Sequence, residues 1–287
     1  MKFTEITCKS ALNKLKRKMP YRYDLNIYRG CTNNCRYCYA IYSHKYLNSK
    51  DYFKEIFIKT NISEVLKNEL KNNRELFAIG TICDSYQEAE SHYRLMPEIL
   101  NLLLRYRNPI IISTKSDLIL RDYDLISDLS NLTYVNIASS IITSNENLKN
   151  ILEPNASNIK DRVKLLKEFK KTNCNIGMHI MPILPYLTDS YENLESLFKI
   201  AKNIDVNYVL PSPLNLYGQT KTEYFKFLKK EFPDIYPKTK ELFKETYLNR
   251  NYKKELFYKL NELKNSFNLS FNYKPKYKND KQSTLFN

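Results

Sequence analysis

The sequence contains no run that approaches 18 consecutive apolar residues, and a helix needs about that many to cross a membrane. We therefore expect no membrane segment. No apolar export segment follows the first basic residues, which predicts a cytoplasmic protein whose thiols stay reduced. Its six cysteines are accordingly not expected to form a disulfide framework. With 287 residues, the chain is long enough for one α/β barrel domain or two small domains. Because 43% of its residues are hydrophobic, it can form a core, and we do not expect the chain as a whole to be a disordered tail.

Acidic residues are outnumbered by basic ones, 31 against 46, and the formal net charge is +15. The excess lies at the ends, because residues 1–22 carry seven Lys or Arg and one acid while residues 215–287 carry sixteen and eight. Residues 23–214 are nearly neutral. This distribution predicts a basic lead-in over 1–22, a catalytic body over 23–214 and a basic extension over 215–287, with ends that meet nucleic acid. The alternative is that lysine is simply abundant and the ends are solvated surface.

Three of the six cysteines, Cys31, Cys35 and Cys38, lie within eight residues at the spacing C-x-x-x-C-x-x-C. Iron–sulfur cubanes are usually held by four cysteines, so a loop of three leaves one iron open to another ligand. A structural zinc site is one alternative, and its fourth ligand would be Cys8, Cys83 or a histidine. Chance clustering of core cysteines is the other. The polar flanks Thr32, Asn33, Asn34 and Arg36 favour the cluster.

The rest of the body alternates between strand and helix patterns. Strands are predicted over 25–28, 76–82, 110–112, 134–138, 176–181 and 206–210, and helices over 62–70, 93–104, 125–129, 159–171 and 194–201. Six strands separated by helices indicate a parallel α/β array, with the cysteine loop directly after the first strand. Catalytic groups in such barrels lie on the loops that follow the strands. Apolar residues at helical spacing predict that the extension over 215–287 is helical.

Polar residues follow several of the predicted strands, although a parallel strand is normally apolar throughout. They are Cys83 to Gln87 after the second strand, Ser113 to Ser116 after the third, and Ser139, Ser140 and Thr143 after the fourth. Taken together, they predict a cofactor and substrate site on the face that carries the cysteines.

The stretch from Leu25 to about Leu210 resembles the radical S-adenosylmethionine superfamily, in the branch related to spore photoproduct lyase and described as DNA repair photolyases. The motifs that carry the resemblance are Tyr28-Arg29-Gly30-Cys31, Cys38-Tyr39-Ala40, His44 with Tyr46, Phe57-Ile58-Lys59, Gly80-Thr81 with Asp84 and Tyr86-Gln87, Thr114-Lys115-Ser116 with Arg121-Asp122, Leu152-Glu153-Pro154, Arg162, and Pro182-Ile183-Leu184-Pro185. The resemblance implies a partial (βα)6 TIM-type barrel and an enzyme that repairs or modifies nucleic acid.

The resemblance also implies the cofactors and the residues that hold them. A [4Fe–4S] cluster would sit on Cys31, Cys35 and Cys38, and its open iron would bind S-adenosylmethionine and split it to a 5′-deoxyadenosyl radical. Residues implied for the S-adenosylmethionine site are Tyr37, Thr81, Asp84, Lys115, Ser139, Ser140 and Arg162. An external electron donor such as flavodoxin or ferredoxin would reduce the cluster. The alternatives are a radical enzyme for a peptide or small molecule, and a non-catalytic nucleic-acid-binding metalloprotein.

Spore photoproduct lyase returns a hydrogen atom to its substrate from a cysteine near the end of its second strand. Here Thr81 stands three residues before the strand-end acid Asp84, and Cys83 stands directly before that acid. Cys83 is therefore a candidate hydrogen donor in a shifted position, and inert packing is the alternative.

The last ten residues are polar except for a Leu-Phe pair at the tip. Gln282, Leu285 and Phe286 resemble the Gln-x-x-Leu-Phe peptides by which bacterial DNA-maintenance enzymes bind the replication sliding clamp. The pattern predicts a tether to that clamp, and a tail that folds back onto the barrel is the alternative.

Overall fold

The computed structural model describes residues 1–16, 19–46, 49, 51–244 and 247–273. Its strands are β1 Lys2–Ile6, β2 Leu12–Lys14, β3 Tyr23–Leu25, β4 Tyr28–Arg29, β5 Glu55–Lys59, β6 Phe77–Ile79, β7 Ile110–Ser113, β8 Val135–Ser140, β9 Asn175–Ile183 and β10 Tyr208–Pro213. Its α-helices are α1 Ile62–Leu70, α2 Glu88–Tyr93, α3 Leu95–Tyr106, α4 Tyr123–Leu132, α5 Glu146–Leu152, α6 Ile159–Phe169, α7 Tyr191–Ile204, α8 Gly218–Glu231, α9 Tyr236–Leu242 and α10 Arg250–Ser266. Short 3-10 segments span Tyr39–Tyr46 and Asp117–Asp122.

The main sheet has the order β10-β9-β8-β7-β6-β3-β2. All neighbours from β10 to β3 pair in parallel, and β2 joins β3 antiparallel at the edge. The six parallel strands confirm the predicted α/β array. Because β10 and β2 form its two edges, the sheet is an open, partial barrel.

The two faces of the sheet differ in polarity because side chains alternate along a strand. Ile110, Ile112 and Ile137 belong to the large apolar core on the helix side. Asn136 and His179 lie on the opposite, inner face, together with small residues such as Ala138 and Gly177. A polar inner face with small side chains suits a barrel that receives a ligand at its mouth.

The N-terminal lead-in contains two strands that the sequence did not indicate. Strand β1 pairs in parallel with β5, which also pairs antiparallel with β4, and the three form a second sheet. Strand β2 covers the edge of the main sheet at β3. The residues of β1 are exposed or only partly buried, so the strand lacks the apolar alternation that would reveal it.

The extension beyond β10 is helical, as predicted, through α8, α9 and α10. Helix α10 buries Leu256, Leu260 and Leu263. The segment after it runs along β10, where the backbone N–H of Val209 donates to the carbonyl of Ser270 at 2.8 Å. The tail that carries Gln282, Leu285 and Phe286 lies outside the described residues. In the part of the chain that is described, no helix is both long and apolar enough to cross a membrane.

Candidate active site

The cysteine loop begins directly after β4 with a turn that only glycine permits. Gly30 has φ of +85°, and a Cβ at this position would lie 2.6 Å from the carbonyl oxygen of Glu55. The backbone N–H of Cys31 then donates to the carbonyl of Tyr52, and the N–H of Cys38 donates to the carbonyl of Cys35, both at 3.1 Å. The backbone therefore fixes the loop independently of its sulfur atoms.

The three thiols of this loop lie close enough to influence one another. Burial raises the pKa of Cys31, and the neighbouring charges of Asp84, Cys35 and Cys38 raise it further. Burial raises the pKa of Cys35 to about 12, although Lys115 opposes the shift. Thiols in this environment need a cationic centre to become thiolates, and the iron of a cluster would supply one.

The donor set fits a cluster with one open iron better than a zinc site. Cys83 donates its thiol hydrogen to the carbonyl of Tyr28 at 3.1 Å, and the backbone N–H of Cys8 donates to Asn61 at 2.8 Å. Among the residues described, no three His, Cys, Asp or Glu side chains are arranged to hold a single metal ion. A cubane instead spreads its three cysteines over three irons.

Asp84 connects the cysteine loop to the end of β7. One carboxylate oxygen accepts from Asn33 Nδ2 at 2.9 Å and from the backbone N–H of Lys115 at 2.8 Å. The other accepts from Thr114 Oγ1 at 2.7 Å and from the backbone N–H of Tyr86 at 3.0 Å. Both oxygens are thus engaged by the protein itself, and these contacts give Asp84 a positioning role. Its direct contact with S-adenosylmethionine stays a prediction.

Tyr37, between the second and third cysteines, anchors the loop from the other side. Its hydroxyl donates to Glu153, which forms an ion pair of 2.5 Å with Arg162, and all three side chains are buried. Arg162 also donates to the carbonyls of Ser140 and Ser157 at 2.9 and 2.8 Å. Burial would raise the pKa of Glu153, but the charges of Arg162 and Lys115 hold it below its usual value. Arg162 therefore supports Tyr37 through Glu153.

Lys115 follows β7 and stands near Cys35 and Glu153. Burial works against its charge, but these two groups raise the pKa of Lys115 and keep the ammonium charged. Within the described residues, this ammonium makes no hydrogen bond and no ion pair. A free cation beside the cysteine loop fits the carboxylate of S-adenosylmethionine.

The two serines predicted at the end of β8 face opposite sides of the sheet. Ser139 is fully buried and donates to the carbonyl of Thr114 at 2.7 Å. Ser140 is the register partner of His179 and lies on the inner face of the barrel. Of the two, Ser140 is therefore placed where a ligand in the barrel would reach it.

Thr81 lies in the turn after β6, where Asn26 holds it. Its hydroxyl accepts from Asn26 Nδ2 at 3.2 Å, and its backbone N–H donates to Asn26 Oδ1 at 3.1 Å. The hydroxyl of Tyr39 donates to the carbonyl of Thr81, so this turn contacts the residue that follows Cys38.

Cys83 is buried in the apolar core, and its sulfur faces the Tyr28 carbonyl. Burial raises its pKa to about 12, so it is not an activated thiol. Nothing in these contacts brings the sulfur to the inner face of the barrel. Its role as a hydrogen donor stays a prediction without structural support.

The sequence did not indicate the polar residues deep inside the barrel. Asn136 on β8, His179 on β9 and Tyr208 on β10 form a connected set of hydrogen bonds. The signal for them is a polar residue in the middle of an otherwise apolar parallel strand, as at Asn136 and His179.

Comparison with known proteins agrees with this geometry. The model of the radical SAM superfamily matches residues 25–198. An uncharacterized protein of Mycobacterium tuberculosis is 32% identical over 282 residues, which cover 95% of this chain and 83% of the relative. An uncharacterized protein of Methanocaldococcus jannaschii is 28% identical over 231 residues, covering 78% of this chain and 84% of the relative.

Among solved structures, the fold is similar to that of a spore photoproduct lyase mutant with bound AdoMet and dinucleoside spore photoproduct. The TM-score is 0.68 at 15% sequence identity, and the match covers 92% of this chain and 79% of the other. The fold, the three-cysteine loop and the match over more than half of the chain agree with one another. The chain belongs to the radical SAM superfamily, whose members use a [4Fe–4S] cluster and S-adenosylmethionine.

Proposed function

We propose that this protein is a radical S-adenosylmethionine enzyme that acts on nucleic acid, in a repair or modification reaction like that of spore photoproduct lyase. The observation that carries the proposal is a set of exposed tyrosines beside the cysteine loop, on a helical extension with excess positive charge. The likeness to spore photoproduct lyase, which has been crystallised with a dinucleoside substrate, supports it at the level of the fold.

Two of these tyrosines, Tyr217 and Tyr247, lie on the extension next to the loop. They are 52% and 68% exposed, and their rings contact each other at a centroid distance of 6.3 Å. Tyr217 precedes α8, whose Thr220 hydroxyl lies 3.4 Å from the carbonyl of Cys38. Exposed aromatic rings next to a reactive centre suit stacking on unpaired bases.

The extension that carries these tyrosines has the charge that a phosphate backbone requires. Helix α8 carries Lys226, Lys229 and Lys230, and α10 begins with Arg250 followed by Lys253 and Lys254. Some of these lysines pair with a neighbouring glutamate, as Lys226 does with Glu223, but basic residues remain in excess over 215–287. This excess supports binding of a polyanion.

When bound, the cluster and S-adenosylmethionine supply a 5′-deoxyadenosyl radical, and an external reductant provides the electron. The protein's own residues hold and orient the reactants. Lys115 would bind the carboxylate of S-adenosylmethionine, and Tyr37, fixed by Glu153, would border the adenine. Ser140 would contact the ligand from the inner face. Asp84 holds the cysteine loop against β7, so the distance between Lys115 and the loop is set by the fold.

Binding to single-stranded DNA is expected to fall by at least about 100-fold between roughly 50 mM and 200 mM salt, because each neutralised phosphate releases a counterion. Fluorescence anisotropy with a labelled oligonucleotide measures this. Weak binding that is equal at both salt concentrations would reject nucleic acid as the substrate and favour the peptide or small-molecule alternative.

Stacking of bases on the two tyrosines is tested by removing their rings. Replacing Tyr217 and Tyr247 together by Leu should weaken single-stranded DNA binding by at least about 5-fold at constant salt, since stacking contributes about 1–3 kcal/mol for each base that is stacked on a ring. Tyr258→Leu is the matched control, because Tyr258 is a similarly exposed tyrosine, at 75%, on α10 of the same extension. Equal affinity of the double variant and the control would leave charge alone as the source of binding.

The contact with a sliding clamp through Gln282, Leu285 and Phe286 also belongs to this proposal. These residues lie outside the described ranges, and the clamp stays a prediction from the sequence pattern alone.

A further inference from the structure

Four polar residues on the inner face of the barrel form one chain of hydrogen bonds. Asn175 Nδ2 donates to Asn136 Oδ1 at 2.6 Å, and Asn136 Nδ2 donates to the Tyr208 hydroxyl oxygen at 3.1 Å. The same hydroxyl lies 3.2 Å from His179 Nε2. Because the Tyr208 oxygen accepts the amide hydrogen of Asn136, its own hydrogen is free to point at His179.

The hydrogen bond that Tyr208 accepts from Asn136 favours one form of the histidine. If Nε2 accepts from Tyr208, the proton of the neutral imidazole must be on Nδ1. Burial lowers the pKa of His179 to about 4, and the charge of Lys115 acts in the same direction, so the ring is neutral at physiological pH. No residue in the described ranges hydrogen-bonds Nδ1.

The fold places Tyr208 and His179 at different depths in the barrel. Tyr208 packs its ring over Gly177, where a Cβ would lie 2.2 Å from the ring, so only glycine leaves room for it. The ring of Tyr273 contacts that of Tyr208, at a centroid distance of 4.9 Å. His179 is two residues farther along β9 than Gly177, toward the strand end, and pairs in register with Ser140. It therefore lies between the tyrosines and the mouth of the barrel.

We propose that His179 is a substrate-binding residue whose neutral Nδ1–H donates to the carbonyl oxygen at ring position 4 of a pyrimidine inserted into the barrel, and that it selects a keto group over an amino group at that position. The proposal rests on the proposed function and deepens it. A neutral N–H matches a carbonyl oxygen, whereas an exocyclic amine at the same position would place two donors against each other. The nearby Lys115 also disfavours a donor group there.

The tautomer is measured by nitrogen-15 spectra of the cluster-loaded protein labelled at histidine. The chain has only three histidines, His44, His92 and His179, so the His179 signal is assigned by its loss in His179→Gln. We expect an Nδ1–H tautomer that stays neutral down to about pH 4, and loss of this preference in Tyr208→Phe. An Nε2–H tautomer, or an imidazolium at neutral pH, would overturn the proposal.

Oligonucleotide binding by two variants distinguishes the role of Nδ1, which donates to the base, from that of Nε2, which contacts Tyr208. The amide of His179→Asn can place an N–H near the original Nδ1, whereas the amide of His179→Gln reaches the Nε2 position and keeps the contact with Tyr208. Oligothymidylate and oligodeoxycytidylate are the probes, since they differ by keto and amino groups at the same ring position. The parent is expected to prefer oligothymidylate about 10-fold. His179→Gln should lose that preference, His179→Asn should keep part of it, and Tyr258→Leu should bind as the parent does.

The outcomes distinguish this inference from the function on which it rests. If the parent binds neither oligonucleotide, the nucleic-acid function fails. If the parent binds both equally, or if His179→Gln keeps the full preference while its thermal unfolding matches that of the parent, the role of His179 is wrong and the nucleic-acid function stands.

Discussion

Replacing any one of Cys31, Cys35 or Cys38 by Ala is expected to abolish reductive cleavage of S-adenosylmethionine and to leave the barrel folded. The cluster would lose one of its three protein ligands, and the loop provides no substitute because Cys83 is engaged with the Tyr28 carbonyl. The fold should survive because backbone bonds and the Asp84 carboxylate hold the loop without the sulfur atoms.

The measurement is release of 5′-deoxyadenosine after anaerobic reconstitution with iron and sulfide, together with the visible absorption of the cluster and the circular dichroism of the fold. Cys8→Ala and Cys174→Ala are the matched controls, since both residues lie away from the loop. Cys83→Ala should also release 5′-deoxyadenosine as the parent does. Release at the parent rate from a variant of Cys31, Cys35 or Cys38 would show that the loop does not hold the cluster.

The parts of the fold that the sequence predicted are those with a strong local signal. Helix α1 spans Ile62–Leu70 as expected from its apolar stripe, and the β-branched run at Ile110 is a buried parallel strand. The loop of three cysteines is likewise predicted from its spacing alone, and its role as the cluster site stays a prediction. In each case neighbouring residues contain the information, and no distant contact is needed to interpret it.

The parts that it did not predict depend on contacts between distant residues. Residues Lys2–Ile6 form a strand because their backbone pairs with that of β5, about fifty residues away along the chain. The positioning role of Asp84 follows from Asn33 and Thr114, which come from two other segments of the chain. Alternation along β8 places Ser139 and Ser140 on opposite faces of the sheet. Which of these faces is the inner one depends on the register with β9.

The buried set of Tyr37, Glu153 and Arg162 carries the second large expected effect. Arg162→Met leaves the Glu153 carboxylate in the core without its partner, and Glu153→Gln leaves the guanidinium in the same condition. Breaking a buried ion pair from one side costs about 3–5 kcal/mol, whereas replacing both partners is often close to neutral. Each single variant should therefore lower the free energy of unfolding by about that amount, and the double variant should recover most of the loss.

Thermal and denaturant unfolding of the parent, the two single variants and the double variant form the cycle that measures this coupling. Lys199→Met is the matched control, because Lys199 forms a 2.8 Å pair with Glu195 on the surface, and such a pair contributes about 0–1 kcal/mol. The coupling also bears on the site, since Glu153→Gln replaces the carboxylate that accepts from the Tyr37 hydroxyl by a neutral, weaker acceptor. We therefore expect the double variant to regain stability and still bind S-adenosylmethionine more weakly than the parent, as isothermal titration would detect. Additive losses of stability would mean that the pair does not act as a unit, and unchanged cofactor affinity would mean that Glu153 supports the fold without orienting Tyr37.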